Sequence, residues 1–487
     1  MILTLLLFSL FITVLCGIFR SQQKLEAVNF LGAGGILFLG LNLVGEVYQN
    51  HEISALKGLL RVDALGAFLV LVISIITFTA SIYSHGYIRS ELGNGDLGIR
   101  RMRRYYFLLH TFIFTILLVA VSNNLGILWI AIEATTLASA GLVGLRSERE
   151  PLEAAWKYMI ICSVGIAIGL FGTVLTYYSS VNILGESSDA LNWSTLASIS
   201  HQLDPKVMKL AFLFIVIGYG TKVGLAPMHT WLPDAHSQAP SPISGLLSGV
   251  LLSCAMYGIL RFYIITKGAL GPAYPSSLLL MFGLASLIMA AFFLIIQKDF
   301  KRMLAYSSVE HMGIIAVGLS FSVPLGTYGA MLHLFNNAMA KSMMFFAAGN
   351  IVLRYGTKEI EKVKGLGRLM PVTGTVFLLG ALAMTGSPPF SLFISELTIL
   401  AAGFSSGKMI SSLVLLFCVV LIFASILYYV NAMTFGVPPS GIQKGELSRW
   451  STLAMLMNMA FVMILGFYIP KPLNTLINQV VQIISGS

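Results

Sequence analysis

The sequence consists mostly of apolar runs of about 20 residues, separated by short polar segments. Such a run is long enough to cross the hydrocarbon core of a bilayer as an α-helix. Hydrophobic residues make up 57% of the 487 positions and charged residues only 10%, which excludes a soluble fold with a polar surface. We therefore predict an all-α polytopic membrane protein with about fourteen transmembrane helices.

The runs predict a single membrane domain with internal organisation. Residues 1–104 would hold the first three helices, residues 105–265 the next five, residues 275–435 five more, and residues 451–470 the last. Because each five-helix repeat has an odd number of crossings, the second copy would be inverted in the membrane. The apolar N-terminus has no Lys or Arg ahead of it, so we expect a first helix and not a removable signal peptide.

Two of the runs are interrupted by proline. The seventh contains Pro227, and the twelfth contains Pro388 and Pro389. They occupy corresponding positions in the two repeats, and each lies near an ionisable residue, Lys222 or Glu396. Discontinuous helices of this kind place ion sites near the middle of the bilayer. The alternative is that the prolines only kink their helices, as they often do in membranes.

The net charge of +10 is unevenly distributed among the loops. Odd-numbered loops carry most of the 30 Lys and Arg, including the basic segments 100–104 and 354–368. This is the bias of cytoplasmic loops, and it predicts that both termini lie on the non-cytoplasmic side. The basic loops fit anionic lipid headgroups or partner subunits, so we expect no nucleic-acid partner.

No motif for a cofactor or a metal is present. The four cysteines each lie alone in a different apolar run, without the paired spacing of zinc or iron–sulfur ligands, and no phosphate-binding glycine loop occurs. His229, Asp234 and His236 lie together at a helix end among prolines, which does not indicate a zinc site. We expect neither cofactor nor metal in this chain, so its free energy must come from an ion gradient or a partner.

Buried charge points to the transport of protons or ions. Lys222 lies deep in an apolar run, where a lysine costs about 3 kcal/mol and needs a partner. Glu133 is the acid in a run that is otherwise free of charge, so the two predict an input pair. A purely structural ion pair is the alternative.

The second repeat carries a similar set of ionisable residues. His333 and Lys341 lie eight residues apart and so share one face of a helix. Glu310 and His311 lie inward of a basic helix start, although His311 also fits a packing role. Because protons hop between neighbouring titratable groups, we predict a relay formed by Glu133, Lys222, Glu310, His311, His333, Lys341 and Glu396.

Two segments resemble a known family. Residues 221–244, TKVGLAPMHTWLPDAHSQAPSPIS, resemble the proton-translocating, antiporter-like subunits of respiratory complex I and of multi-subunit cation/proton antiporters. Residues 299–313, DFKRMLAYSSVEHMG, are similar to hydrogenase-4 component F and its relatives in membrane-bound nickel–iron hydrogenase complexes. The resemblance covers about residues 60–435 and implies fourteen helices.

The resemblance assigns roles to single residues. Glu133 matches the family's glutamate of the fifth helix, Lys222 its lysine of the broken seventh helix, Lys341 its lysine of the eleventh, and Glu396 its exit-side charge of the twelfth. One departure is central, because Ser248 and Ser253 stand where quinone-reductase members carry a lysine or histidine in the eighth helix. Either water bridges this gap, or Glu310 and His311 take over, or the chain does not conduct fully.

A second departure is the short tail after Pro470, which excludes the long lateral helix of the largest antiporter-like subunit. The resemblance implies a subunit that moves protons, or exchanges protons for sodium, in a prokaryotic inner membrane. Its partners would be other membrane subunits and a peripheral hydrogenase-like module, which alone would hold nickel–iron and iron–sulfur centres. The chain itself carries no catalytic centre. A stand-alone sodium/proton antiporter subunit and a non-conducting membrane scaffold remain open.

Overall fold

The computed structural model describes residues 1–92, 96–146, 148–185, 187 and 189–486, and most of them are helical. In chain order the helices are α1 Ile2–Ile18, α2 Gln22–Asn50, α3 Ala64–Leu92, α4 Asp96–Val121, α5 Leu125–Val143, α6 Arg149–Leu184, α7 Trp193–Ser198, α8 Pro205–Val223, α9 Trp231–Gln238, α10 Ser241–Leu246, α11 Leu252–Leu270, α12 Ala273–Ile295, α13 Phe300–Ser320, α14 Pro324–Tyr355, α15 Leu366–Leu369, α16 Pro371–Met384, α17 Ser391–Ser405, α18 Met409–Phe435, α19 Arg449–Phe467 and α20 Lys471–Ser485.

The remaining regular structure is short. Strands β1 (Ile53–Ala55) and β2 (Leu60–Val62) pair antiparallel, with Ser54 opposite Arg61. A π-helical turn at Leu247–Leu251 joins α10 to α11. Single 3-10 turns lie at Leu56–Gly58, Ser200–Gln202, Met228–Thr230 and Ile360–Lys362.

The molecule is an all-α multi-pass membrane protein. Within the described residues, ten helical segments are long and apolar enough to cross a membrane, and α1, α16 and α17 are shorter apolar helices. This number is lower than the about fourteen apolar runs in the sequence. The shorter helices α1, α16 and α17 have 17, 14 and 15 residues, and polar residues lower the hydropathy of α13 and α14. Nearly every residue of α13 and the central part of α14 is buried, so these two helices form the middle of the bundle.

Both proline-containing runs are interrupted in the structure. α8 ends at Val223, and Gly224 follows in the left-handed conformation with φ of 80°. Between α16 and α17 the chain turns at Gly386, which has φ of 65°. A Cβ at Gly386 would lie only 2.0 Å from the Glu396 carboxylate, so both backbone angle and space require glycine here.

A buried ion pair joins the residue just before α3 to α11. Asp63, just before α3, accepts hydrogen bonds of 2.7 Å from both terminal nitrogens of Arg261 in α11. The guanidinium also lies over the Trp193 ring, with its carbon 4.1 Å from the ring centroid. Burial alone would raise the pKa of the Asp63 carboxyl, but the facing guanidinium outweighs it and holds the pKa below its usual value.

The C-terminal helix α20 was not expected from the sequence. Its apolar residues recur every three or four positions instead of forming a continuous run, so a search for long apolar runs does not find it. The helix packs this face against α3 and α14. The buried side chains of α20 are Leu473, Leu476, Ile477, Val480, Val481 and Ile484.

Candidate functional site

Lys222 lies at the C-terminal end of a helix inside the protein. It is fully buried and occupies the last turn of α8, which ends one residue later. The carbonyl groups at a helix C-terminus lack intrahelical partners and carry partial negative charge, so they favour a cation there. The break around Pro227 thus lowers the cost of placing this lysine in an apolar interior.

Two hydroxyl groups bind the Lys222 ammonium. Its Nζ donates to the Tyr158 hydroxyl at 2.6 Å and to Thr136 Oγ1 at 2.8 Å. Thr136 in turn lies 3.5 Å from one carboxylate oxygen of Glu133. The other carboxylate oxygen of Glu133 accepts a 2.6 Å hydrogen bond from Ser163. The predicted pair of Lys222 and Glu133 is therefore connected through a threonine hydroxyl and not by a direct ion pair.

Glu133 differs from the other acids of the predicted relay in its exposure. Its side chain is only half-buried, on the face of α5 where Ile130 and Leu137 are exposed. Glu310 and Glu396 are buried, with 1% and 6% of their surface exposed. The first polar cluster, consisting of Glu133, Thr136, Tyr158, Ser163 and Lys222, thus runs from the lateral surface to the interior.

Lys341 lies in the middle of the continuous helix α14 and is fully buried. Its ammonium donates to the Ser307 hydroxyl and, at 3.3 Å, to the Leu304 carbonyl, both on α13. Glu310 is three residues after Ser307 on the same helix and so lies on the same face. Lys341 is therefore held by a neighbouring helix instead of a helix end.

Two histidines and a serine form a hydrogen-bonded row beside Lys341. His311 Nδ1 lies 3.0 Å from His333 Nε2, and His333 Nδ1 lies 2.9 Å from the Ser395 hydroxyl. The Ser395 hydroxyl also lies 2.9 Å from the Leu392 carbonyl, and when it donates there it accepts from His333 Nδ1. In that arrangement His333 Nε2 accepts from His311 Nδ1.

This row ends beside the second helix break. Glu396 follows Ser395 in α17, and its carboxylate lies against Gly386 in the interruption before that helix. The second polar cluster thus brings together side chains from α13, α14 and α17. Its members are Ser307, Glu310, His311, His333, Lys341, Ser395 and Glu396.

Ser248 and Ser253 stand where the related quinone-reductase subunits carry a lysine or histidine. Ser248, within the π-helical turn, lies 2.7 Å from Ser308 on α13. Ser308 is adjacent to Ser307, the partner of Lys341. Ser253 instead donates to the Gly249 carbonyl of its own helix at 3.1 Å. Of the two serines singled out from the sequence, only Ser248 therefore connects to the second polar cluster.

Several contacts in these clusters were missed by sequence reasoning. Thr136 lies three residues after Glu133 and Ser307 three residues before Glu310, so helical spacing from each acid was an available signal. Tyr158 and Ser163 lie on a different helix from the groups they bind, and no spacing in the sequence indicates that contact. His229, Asp234 and His236 do not converge on one point, since Asp234 pairs with Lys157 and Arg302.

The chain matches one family model over most of its length. Residues 122–422 match the transmembrane family described as NADH:quinone oxidoreductase/Mrp antiporter. This segment includes both polar clusters and both helix breaks. It also includes the π-helical turn.

Individual relatives match the chain almost completely. It is 37% identical to a hydrogenase-4 component F homolog of Methylacidiphilum infernorum over 436 residues, which cover 89% of this chain and 90% of that protein. Its fold matches a subunit of the membrane-bound sulfane sulfur reductase, an archaeal respiratory membrane complex, with a TM-score of 0.86, 23% identity and coverage of 99% and 97%. It also matches a subunit of the Mrp complex from Dietzia sp. DQ12-45-1b with a TM-score of 0.87, 18% identity and coverage of 98% and 96%.

Proposed function

Because the chain belongs to the NADH:quinone oxidoreductase/Mrp antiporter family of proton-translocating membrane subunits, we propose that it is the ion-pumping arm of a redox-driven complex of the membrane-bound hydrogenase type. The observation that carries the choice of complex is the 37% identity, over nearly the whole of both chains, to a hydrogenase-4 component F homolog. Electron transfer in a peripheral partner, holding nickel–iron and iron–sulfur centres, would supply the driving force.

The proton route follows the two polar clusters. Glu133 and Lys222 form the input, with Thr136 passing the proton between carboxylate and ammonium. Lys341 is the relay of the second half, and His311 and His333 lead from it towards Glu396 as the exit. The support for this route is the hydrogen bonds that connect Glu133 to Lys222 in the first cluster and the row from His311 to Ser395 in the second. Protons cross an apolar interior only by hopping between such groups and water.

The middle of the route uses hydroxyl groups in place of a charge. The contact of 2.7 Å between Ser248 and Ser308 lies next to Ser307, which binds Lys341. Water between this pair and the first polar cluster would complete the connection. A non-conducting scaffold is disfavoured, because two fully buried lysines are costly to retain without a purpose.

The topology that we propose has fourteen crossings and two inverted five-helix repeats, at residues 105–265 and 275–435. Three helices precede these repeats and one follows them. Both termini would face the non-cytoplasmic side of a prokaryotic inner membrane, in agreement with the basic odd-numbered loops. Cysteine labelling of each terminus from one side of sealed vesicles tests this arrangement.

The decisive experiment is purification of the tagged chain in mild detergent, followed by mass spectrometry and metal analysis. We expect nickel, iron and hydrogenase-type subunits to copurify, and hydrogen-dependent proton uptake into vesicles containing the complex. Recovery of small membrane subunits alone, without metal, would contradict the redox-driven assignment.

The second candidate is a subunit of a stand-alone sodium/proton antiporter. It is favoured by the family's inclusion of Mrp antiporters and by the fold shared with the Dietzia Mrp complex. The same purification separates the two, because the antiporter would exchange sodium for protons in vesicles without any electron donor.

A further inference from the structure

Three buried side chains of the second polar cluster converge on one point. A ring nitrogen of His311, a ring nitrogen of His333 and a carboxylate oxygen of Glu396 all lie within 4.8 Å of one another. They come from α13, α14 and α17, so the packing of three helices fixes their separation. This grouping is not visible in the sequence, where the residues are spread over more than 80 positions.

Two atoms at this point have no partner among the described residues. His311 Nε2 and Glu396 Oε1 are both buried and accept no hydrogen bond. When His311 donates from Nδ1, its Nε2 carries a lone pair. A buried polar atom left unsatisfied costs about 1–3 kcal/mol, so these two atoms would gain from binding a ligand.

The donor set suits one class of ligand. Two imidazole nitrogens with one carboxylate oxygen is a set that binds zinc with a fourth position left for water. Two nitrogens bound to one tetrahedral zinc lie about 3.3 Å apart, and the candidate ligand atoms of His311, His333 and Glu396 lie within 4.8 Å of one another. Sodium, magnesium and calcium prefer oxygen ligands and fit less well. The Ser395 hydroxyl would orient the His333 ring through its contact with the other ring nitrogen, Nδ1.

We propose that His311, His333 and Glu396 form a binding site for a transition-metal dication such as Zn²⁺. The ion would bind the lone pairs of both rings and one carboxylate oxygen, in place of the hydrogen bond between the histidines. A consequence that rests on the proposed function is that bound Zn²⁺ blocks proton passage from Lys341 to Glu396, because it occupies the groups that carry it.

The test is Zn²⁺ binding to the purified complex, measured by equilibrium dialysis with metal analysis. We expect His333→Gln and Glu396→Gln each to weaken binding of this ion by at least about tenfold, since even changes to groups that only orient a metal ligand cost about 10–100-fold. His110→Gln is the matched control, because His110 is also fully buried but bonds Asn29 on another helix. Co²⁺ absorption of the wild-type chain should show a low-coordinate nitrogen and oxygen environment that both cluster variants lose.

Folding is checked in each variant by elution as the intact complex. Equal loss of Zn²⁺ binding in His110→Gln, or unchanged binding in both cluster variants, would overturn the site. Absence of Zn²⁺ binding to the folded wild type would do the same. Lys222→Met separates this site from the transport proposal, because it should retain the Zn²⁺ site even where pumping is lost.

Discussion

The two halves of the molecule hold a buried lysine in different ways. Lys222 lies at the end of an interrupted helix, where the partial negative charge of a helix C-terminus favours a cation, and a tyrosine and a threonine bind it. Lys341 lies within an unbroken helix and depends on Ser307 and a carbonyl of the neighbouring helix. The helix break of the second half lies instead beside Glu396. A broken helix thus lies beside the lysine Lys222 in the first half and beside the acid Glu396 in the second.

The acids differ as well. Glu133 is half-exposed at the side of the bundle and has two hydroxyl partners, whereas Glu310 and Glu396 are buried and each retains an unpartnered oxygen among the described residues. The first half is therefore open to a neighbouring subunit at its acid, and the second half is closed. We infer that charged groups of a neighbouring subunit act on Glu133 in the first half. Proton transfer through the second half would then depend on the state of the first.

The largest expected effect is on pumping when either lysine loses its charge. Lys222→Met and Lys341→Met should each lower proton uptake at least about a hundredfold, because a positioned proton-transfer group contributes 10²–10⁴-fold. Uptake is measured in vesicles with the redox activity of the complex recorded in parallel, and the redox activity should persist. Lys206→Met, an exposed lysine of α8, is the control. Near-normal pumping by one lysine variant would show that the halves are not in series.

The buried ion pair of Asp63 and Arg261 is expected to stabilise the fold. Asp63→Asn removes the partner of Arg261 and should cost about 3–5 kcal/mol of stability, because it leaves an uncompensated buried charge. The readout is the midpoint of unfolding in denaturant. An unchanged midpoint would show that this pair is not structural.

The pH dependence of stability gives a separate check of Asp63. Since its folded pKa is lowered, its contribution is present above the usual carboxyl pKa of about 4 and disappears as the pH falls through the folded value. The wild type should therefore lose stability in acid, and Asp63→Asn should lose less over the same range. Parallel acid profiles would contradict the role of the pair.

Removing a hydroxyl partner of each lysine compares how strongly Lys222 and Lys341 depend on their hydrogen bonds. Tyr158→Phe and Ser307→Ala each remove one hydrogen bond to a charged group, worth about 1.5–3 kcal/mol. We expect the loss of pumping to be greater for Ser307→Ala, since Lys222 keeps the helix end and Thr136. Initial rates of proton uptake measure both. A greater loss in Tyr158→Phe would reverse the ranking of the two environments.

The smallest effect is expected at the second helix break. Gly386→Ala forces the Glu396 carboxylate to move and strains a left-handed residue, at a cost of about 1–3 kcal/mol. Pumping should fall while the complex remains assembled. Gly45→Ala, where nothing lies within 4 Å of the added methyl group, is the control. Equal rates in the two variants would show that the position of Glu396 does not limit transport.

The sequence predicts the class of fold and the positions of the broken helices, because apolar run length and proline are local properties. It does not predict the contacts of Lys222, since Tyr158 and Ser163 lie on a separate helix. Asp63 and Arg261 are 198 positions apart, and nothing local marks them as partners. The convergence of His311, His333 and Glu396 depends in the same way on how three helices pack. Spacing within one helix can be read from the sequence, and distances between helices cannot.

The C-terminal helix α20 has a mechanical consequence. Asn474, near its start, accepts a hydrogen bond of 2.7 Å from Tyr328 in α14, and the carbonyl of Ser485, at its end, accepts one of the same length from Lys267 in α11. Through these two end contacts, α20 links α14 of the second half to α11 of the first half. A rotation of α14 relative to α11 during a pumping cycle would strain these two hydrogen bonds. The two contacts would therefore resist the movement of one half relative to the other.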